Sequence, residues 1–245
     1  MNTISDMTMK PRPKIVVVLH QERSSPGRVG QKLIKRGFDL DIRRPALGQA
    51  LPETMDNHAG AVIFGGPGSA NDNEEWVKRE TDWIAEPLKA GKPFFGICLG
   101  GQMLANHLGG KVYERPYKRV EIGYYPLETV GNGGESGPFP DMIYHFHREG
   151  LTAPDSAKIL ATSELYPHQA FSMDEKTVGI QFHVELTLAM MCRWTVHGAH
   201  RFVLPNAQNR KQHLQGRLEH DHKSEKWLEG FLDHWIGTGE DHPVI

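Results

Sequence analysis

Residues 92–110 read KPFFGICLGGQMLANHLGG, and the order of elements in this stretch decides the fold. Lys92 to Ile97 is an apolar run of strand length, and Gln102 to Leu108 is a helical segment closed by Gly109-Gly110. Between them a glycine-flanked turn carries the chain from strand to helix. The same alternation recurs upstream. Lys14 to His20 (KIVVVLH) is a continuous β-branched run, the pattern of a strand covered on both faces in a mostly parallel sheet. Gly30 to Gly37 then reads as a short surface helix, Phe38 to Arg43 as a second strand, and Gly60 to Phe64 (GAVIF) as a third that runs into Gly65-Gly66-Pro67-Gly68. Asn71 to Ala90 spaces Trp76, Val77, Trp83, Ile84 and Leu88 as a helix would, with Pro87 expected to kink or end it. The repeated alternation predicts an α/β fold: a doubly wound, mostly parallel central sheet with helices on both faces.

Downstream the period changes. Lys111 to Val130 shifts toward a period of two, which predicts strands or hairpins of a more antiparallel kind, and Gly131 to Pro140 is a loop by composition. Short strands are expected around Ile159 to Ala161, Ala170 to Met173 and Val178 to Phe182. From Leu186 onward the chain is polar and helix-like, ending in an amphipathic face of Trp227, Leu228, Phe231, Leu232 and Trp235. The expected organisation is a disordered tail over residues 1–13 and a single domain over 14–245 that includes the C-terminal helices.

Composition narrows the function. The 245 residues carry 28 Lys+Arg against 30 Asp+Glu, a formal charge of −2, so the excess of one sign that marks a nucleic-acid binder is missing. The apolar runs fall far below the roughly 18 residues of a membrane helix, and residues 1–12 lack a signal-peptide core. Two cysteines, Cys98 and Cys192, make neither a disulfide framework nor a C-x-x-C pair. Small-molecule partners in a reducing cytoplasm are the expectation.

The chemistry is expected at Gly96-Ile97-Cys98-Leu99-Gly100. A G-x-C-x-G turn between strand and helix has the layout of a nucleophile elbow, in which the glycines let a strained turn lift the central side chain above the sheet edge. The helix N-terminus there favours a thiolate. A lone cysteine is ordinarily a small buried hydrophobe, and Cys192 reads that way. A nucleophile needs a base and the base an orienting group; VGIQFHVE at 178–185 supplies His183 and Glu185, two apart and so on one face of a strand. The N–H of Leu99 is the expected first donor to an oxyanion, and the Gly65–Gly68 loop, lacking the G-K-[ST] of a phosphate loop, offers a second.

These residues carry a family resemblance. The GGPGS loop at 65–69, GICLGGQMLA at 96–105, EIGYYPL at 121–127, QAF at 169–171 and GIQFHVE at 179–185 resemble a class I glutamine amidotransferase, of the free-standing kind related to the amidotransferase domain of GMP synthase. The resemblance covers residues 14 to 190 and, more loosely, the C-terminal helix. It implies that Cys98 attacks the glutamine side-chain amide, that His183 acts as base and then protonates the departing ammonia, and that Glu185 orients His183. It further implies a glutamyl thioester, an oxyanion hole from the N–H groups of Gly66 and Leu99, and a role for Gln102 in holding glutamine. No cofactor or metal is implied; His145, His147, His197, His200, His220 and His222 read as surface or capping residues.

Two departures stand out. His147-Arg148-Glu149 replaces the His-Gly-Asp of many relatives, which bears on substrate choice, and Val184 replaces a common proline. No S-G-G-x-D-S pyrophosphatase loop is present, so an ammonia acceptor is expected to bind elsewhere or on a separate synthetase subunit. The alternatives are a stand-alone γ-glutamyl amide or peptide hydrolase or transferase using the same three residues, and a regulatory protein that keeps the fold without turnover.

Overall fold

The run KIVVV forms β1 (Lys14–Val18), and its side chains alternate between two cores: Ile15 and Val17 join one buried cluster, Val16 and Val18 the other. That two-sided burial is the reason the run is continuously apolar. The computed structural model describes residues 11–242. β1 is followed by α1 (Gly27–Lys35), β2 (Asp39–Arg43), β3 (His58–Ile63), α2 (Glu75–Trp83), α3 (Ala85–Lys89), β4 (Phe94–Ile97) and α4 (Leu99–His107). Next come β5 (Lys111–Glu114), β6 (Glu121–Pro126), β7 (Glu128–Thr129), β8 (Met142–His147), β9 (Glu149–Thr152), β10 (Lys158–Thr162), β11 (Ala170–Ser172) and β12 (Thr177–Ile180). Then come α5 (Leu188–His197), a 3-10 turn at Ala199–Arg201, α6 (Arg210–Trp235) and a 3-10 turn at Gly239–Asp241.

The main sheet has the order β2-β1-β3-β4-β12-β11-β10-β7. Its first five strands are mutually parallel, and β11, β10 and β7 continue it antiparallel. Val29 and Leu33 of α1 pack with the apolar face of α6 on one side, while Val77 of α2 and Met103 and Leu104 of α4 cover the other. The sheet is thus doubly wound, as the alternation predicts. Strand order reverses between β1 and β3, and in such sheets the crevice beyond the carboxyl ends at that point is where ligands bind.

The face expected over Trp227 to Trp235 lies on α6 and is buried. Phe231 packs 4.6 Å from the ring of Phe95 and stacks on Trp227 at 5.1 Å. Arg28 and Lys32 of α1 and Arg36 just after it reach across to Asp221, Glu225, Glu229 and Asp233, tying the two helices along their length. Phe231→Ala is expected to cost about 3–5 kcal/mol, the range for truncating a buried aromatic, as read from urea unfolding.

Several boundaries move for identifiable reasons. The helix expected over 71–90 is broken after Trp83 into α2 and α3. Pro87 lacks an N–H for the carbonyl four residues back, which is Trp83, and its ring crowds that carbonyl, so the break falls a turn before the proline. β8 and β9 were not anticipated. They pair with β6 and β5 in two small sheets beside the main one, and the histidines of β8 disguise it as polar. The expected tail falls largely outside the described residues. Within it, Arg12 donates hydrogen bonds to the carbonyls of Ile34 and Gly37, which anchors that residue to the end of α1.

Candidate active site

Cys98 lies between the end of β4 and the start of α4 with φ 53° and ψ −105°. A side chain at positive φ is strained, and the surroundings hold it there. Its N–H donates to the Ile180 carbonyl at 2.8 Å, and its carbonyl accepts the Gln102 N–H at 2.9 Å. Gly100 explains the glycines of the motif: a Cβ there would lie 2.1 Å from the carbonyl oxygen of Ile63, so only glycine lets α4 start directly over β3. Gly100→Ala is expected to destabilise the protein by about 3 kcal/mol or more, seen as a lower Tm and a lower urea midpoint.

His183 and Cys98 border the same cleft, and the His183 Nδ1–H donates to Glu185 Oε1 at 2.7 Å. The expected strand does not extend this far. β12 ends at Ile180, and His183 and Glu185 lie in the irregular segment beyond it, where the His183 N–H donates to the Tyr144 carbonyl of β8 at 2.9 Å. Pairing to β8, rather than strand alternation, therefore aims the imidazole. Both side chains are buried. Burial by itself would lower the His183 pKa, but the Glu185 carboxylate and the cysteine outweigh it and push the imidazole up to about 10. The ring is walled by Trp194, edge-on at 4.8 Å between centroids.

The Gly65–Gly68 loop closes the other side. A Cβ on Gly65 would come 2.9 Å from His183 Cε1, and one on Gly66 would come 2.9 Å from Leu99 Cδ2, so bare backbone lies against both residues. His20, two residues beyond β1, supports this loop: its Nδ1 is 3.1 Å from the Gly65 carbonyl oxygen and its Nε2 is 2.9 Å from Glu80 of α2. Leu99 is the first residue of α4, where helix N–H groups have no intrahelical partner. A cleft of about 270 Å³, lined by Gly65, Gly66, Cys98, His183, Trp194 and Arg201, opens in front of these groups. A separate groove of about 200 Å³ between the 133–136 loop and α6 contains none of them.

Gln102 is buried beside the cleft, and its amide donates to the Glu149 carbonyl at 3.0 Å and to Gln181 Oε1 at 3.1 Å. Gln181 in turn approaches Cys98 Sγ with its amide nitrogen at 3.7 Å. Sequence reasoning did not single out Gln181, His20 or Glu80; Gln181 was legible only as part of GIQFHVE.

His145 and His147 correct an expectation: they are buried rather than surface residues. The β6–β8 register sets Glu121 opposite His147, and His145 shares their face because residues two apart in a strand point the same way. Glu121 Oε2 lies 3.3 Å from His145 Nδ1 and 3.1 Å from His147 Nε2, and Gln169 and Ser163 donate to the same carboxylate. Burial would raise the Glu121 carboxyl, but the two imidazoles and these hydrogen bonds hold it at about 2, while complete burial drops His145 to about 3. These three ligand atoms are close enough to hold one divalent ion, and shared hydrogen bonds account for the same contacts. His147 Nδ1–H donates to the Glu149 carbonyl that also receives Gln102. The motif residues Glu121 and Gln169 thereby support Gln102 from below.

A family model for class I glutamine amidotransferases matches residues 23–191. The chain belongs to that family. Family members hydrolyse the side-chain amide of glutamine. The chain is 31% identical over 186 residues to the glutamine amidotransferase-like protein YfeJ of Salmonella typhimurium, covering 71% of this chain and 77% of that protein. It is 36% identical over 145 residues to the glutamine-hydrolysing GMP synthase of Aeropyrum pernix, covering 58% of this chain but only 26% of the synthase. Among solved structures, a glutamine amidotransferase from Thermotoga maritima superposes with a TM-score of 0.82 at 28% identity, covering 93% of this chain and all of that one. Among the described residues no helix is long and apolar enough to cross a membrane.

Proposed function

We propose that this amidotransferase cleaves the glutamine amide through a thioester on Cys98, with His183 and Glu185 as its partners. The observation that carries the reading is a cysteine held at positive φ on a cleft shared with an imidazole that is bonded to a buried carboxylate. That is the nucleophile, base and orienting group of acyl transfer. The Cys98 sulfur adds to the amide carbon, and the N–H groups of Gly66 and Leu99 receive the oxyanion. The protonated His183 gives its proton to the departing nitrogen, and ammonia leaves as the thioester forms. Water then adds to the thioester with His183 taking its proton, and glutamate departs as the thiol returns. Gln102, fixed by Glu149 and Gln181, borders the glutamine.

The ammonia goes to an acceptor on a separate synthetase. The chain covers 26% of the length of the glutamine-hydrolysing GMP synthase it matches. Free thiols at Cys98 and Cys192 suit a reducing cytoplasm. The experiment is release of glutamate and ammonia from L-glutamine by the purified protein, with an acid quench during turnover. A glutamyl adduct on the Cys98 peptide is expected; turnover with no adduct, or an adduct elsewhere, would sink the thioester route.

A further inference from the structure

His20 and Glu80 form a buried ionisable pair behind the Gly65–Gly68 loop, with side chains 1% and 0% exposed. They come from different elements, His20 from the segment after β1 and Glu80 from α2. Trp76, one turn before Glu80 on the same helix, packs against the His20 ring at 5.5 Å between centroids. A carbonyl oxygen only accepts, so the 3.1 Å contact between His20 Nδ1 and the Gly65 oxygen is an Nδ1–H donating. His20 Nε2 then faces Glu80 Oε2 at 2.9 Å with one proton between them, because two lone pairs at that distance would repel. The ring is thereby fixed, and its Nδ1–H points at the Gly65 carbonyl.

That carbonyl belongs to the same peptide group as the Gly66 N–H. The peptide is trans, so its oxygen and its hydrogen point in opposite directions. Holding the Gly65 oxygen toward His20 turns the Gly66 N–H away from it. Gly65 and Gly66 line the cleft together with Cys98, and His20 does not, so away from His20 is toward the cleft. A Cβ on Gly66 would lie 2.9 Å from both His20 Nδ1 and Leu99 Cδ2, which puts this glycine between the imidazole and the first residue of α4. Among the described residues the Gly66 N–H donates to no backbone carbonyl. A peptide flanked by two glycines has no side chain to hold its plane and many orientations open to it, so a donor placed there is ready only if something outside the loop fixes it. We propose that His20 and Glu80 are positioning residues that clamp the Gly65–Gly66 peptide with its N–H aimed at the oxyanion. The oxyanion it serves rests on the amide-cleavage reading; the orientation of the peptide does not.

The test removes both partners together, so that neither is left buried and unpaired. In a Cys192→Ser background, the parent is compared with His20→Leu/Glu80→Met and with His20→Asn/Glu80→Gln, in which the asparagine amide stands where Nδ1 donated. In the apolar pair kcat for L-glutamine is expected to fall about 10–100-fold, short of the roughly 10²–10³ for an oxyanion donor lost outright. KM is expected to change by less than about threefold, and the amide pair to recover most of the rate. Alkylation of Cys98 by iodoacetamide, which builds no oxyanion, is expected to stay within about threefold of the parent. An unchanged kcat, or an alkylation rate that falls as far as kcat, overturns the clamp. Crystal structures of the parent and the apolar pair read the peptide plane without turnover: the Gly65 carbonyl is expected to face residue 20 in the parent and to turn, or to split between two orientations, in the variant. A plane unmoved by the substitutions overturns the clamp whatever the activity. Should the apolar pair fail to fold, Glu80→Gln, which keeps the shape and loses the charge, is read the same way with an expected fall in kcat of about 3–10-fold. A parent that turns over no glutamine, with a plane that still depends on His20 and Glu80, would defeat the amide-cleavage reading and leave the clamp standing.

Discussion

Cys98→Ala is expected to lower glutamine hydrolysis by at least about 10⁴-fold while leaving the fold in place, because the proposed thioester would lose the sulfur on which it forms. The backbone argument makes this a clean test. Alanine is no less strained than cysteine at φ 53°, so the substitution neither relieves nor adds strain at the elbow. The hydrogen bonds that hold it, Cys98 N–H to Ile180 and Gln102 N–H to Cys98, are main-chain bonds that survive. Loss of one buried sulfur is expected to change stability by only about 1 kcal/mol. Steady-state ammonia release and a urea titration on the same preparation separate the two quantities. Activity retained within tenfold of the parent would remove Cys98 from the reaction.

Glu185→Gln has the second largest expected effect. Amide and carboxylate have the same shape, so the change removes charge and leaves the ring where His183 N–H and Trp194 hold it. Without the carboxylate the largest upward influence on the imidazole is gone while burial remains, so its pKa is expected to fall from the raised value of about 10. Activity is expected to drop about 10³–10⁴-fold, as when the carboxylate of such a triad is neutralised. The stability consequence has a definite sign. A histidine whose folded-state pKa is raised from 6.5 to about 10 contributes stability that is fully present below pH 6.5 and lost as the pH rises through 10. The parent should therefore exceed the variant in stability most at pH 6, with the gap closing by pH 10. Urea midpoints at the two pH values check this, and a gap that widens toward pH 10 would contradict the assigned charge on His183.

Sequence and tertiary structure contribute differently to this protein. Patterning determines the doubly wound sheet, because a strand covered on both faces must be apolar at successive positions, and Lys14 to His20 is. Sequence also locates Cys98, since glycines at 96 and 100 are tolerated in a buried strand–helix junction only where backbone approaches backbone. It names His183 and Glu185 as a pair, but for a geometric reason that does not hold. Their alignment comes from a bond to β8 after β12 has ended, and β8 is not visible from local periodicity. The same is true of the buried Glu121, His145 and His147 group, which exists only because the β6–β8 register sets one strand against the other. Arg148 and Arg201, 53 positions apart, share a recess beside Cys98 that no local pattern announces. Local patterns record what each residue's own element must bury; long-range register and loop closure decide which charges meet, because those depend on pairings between segments that are remote in the chain.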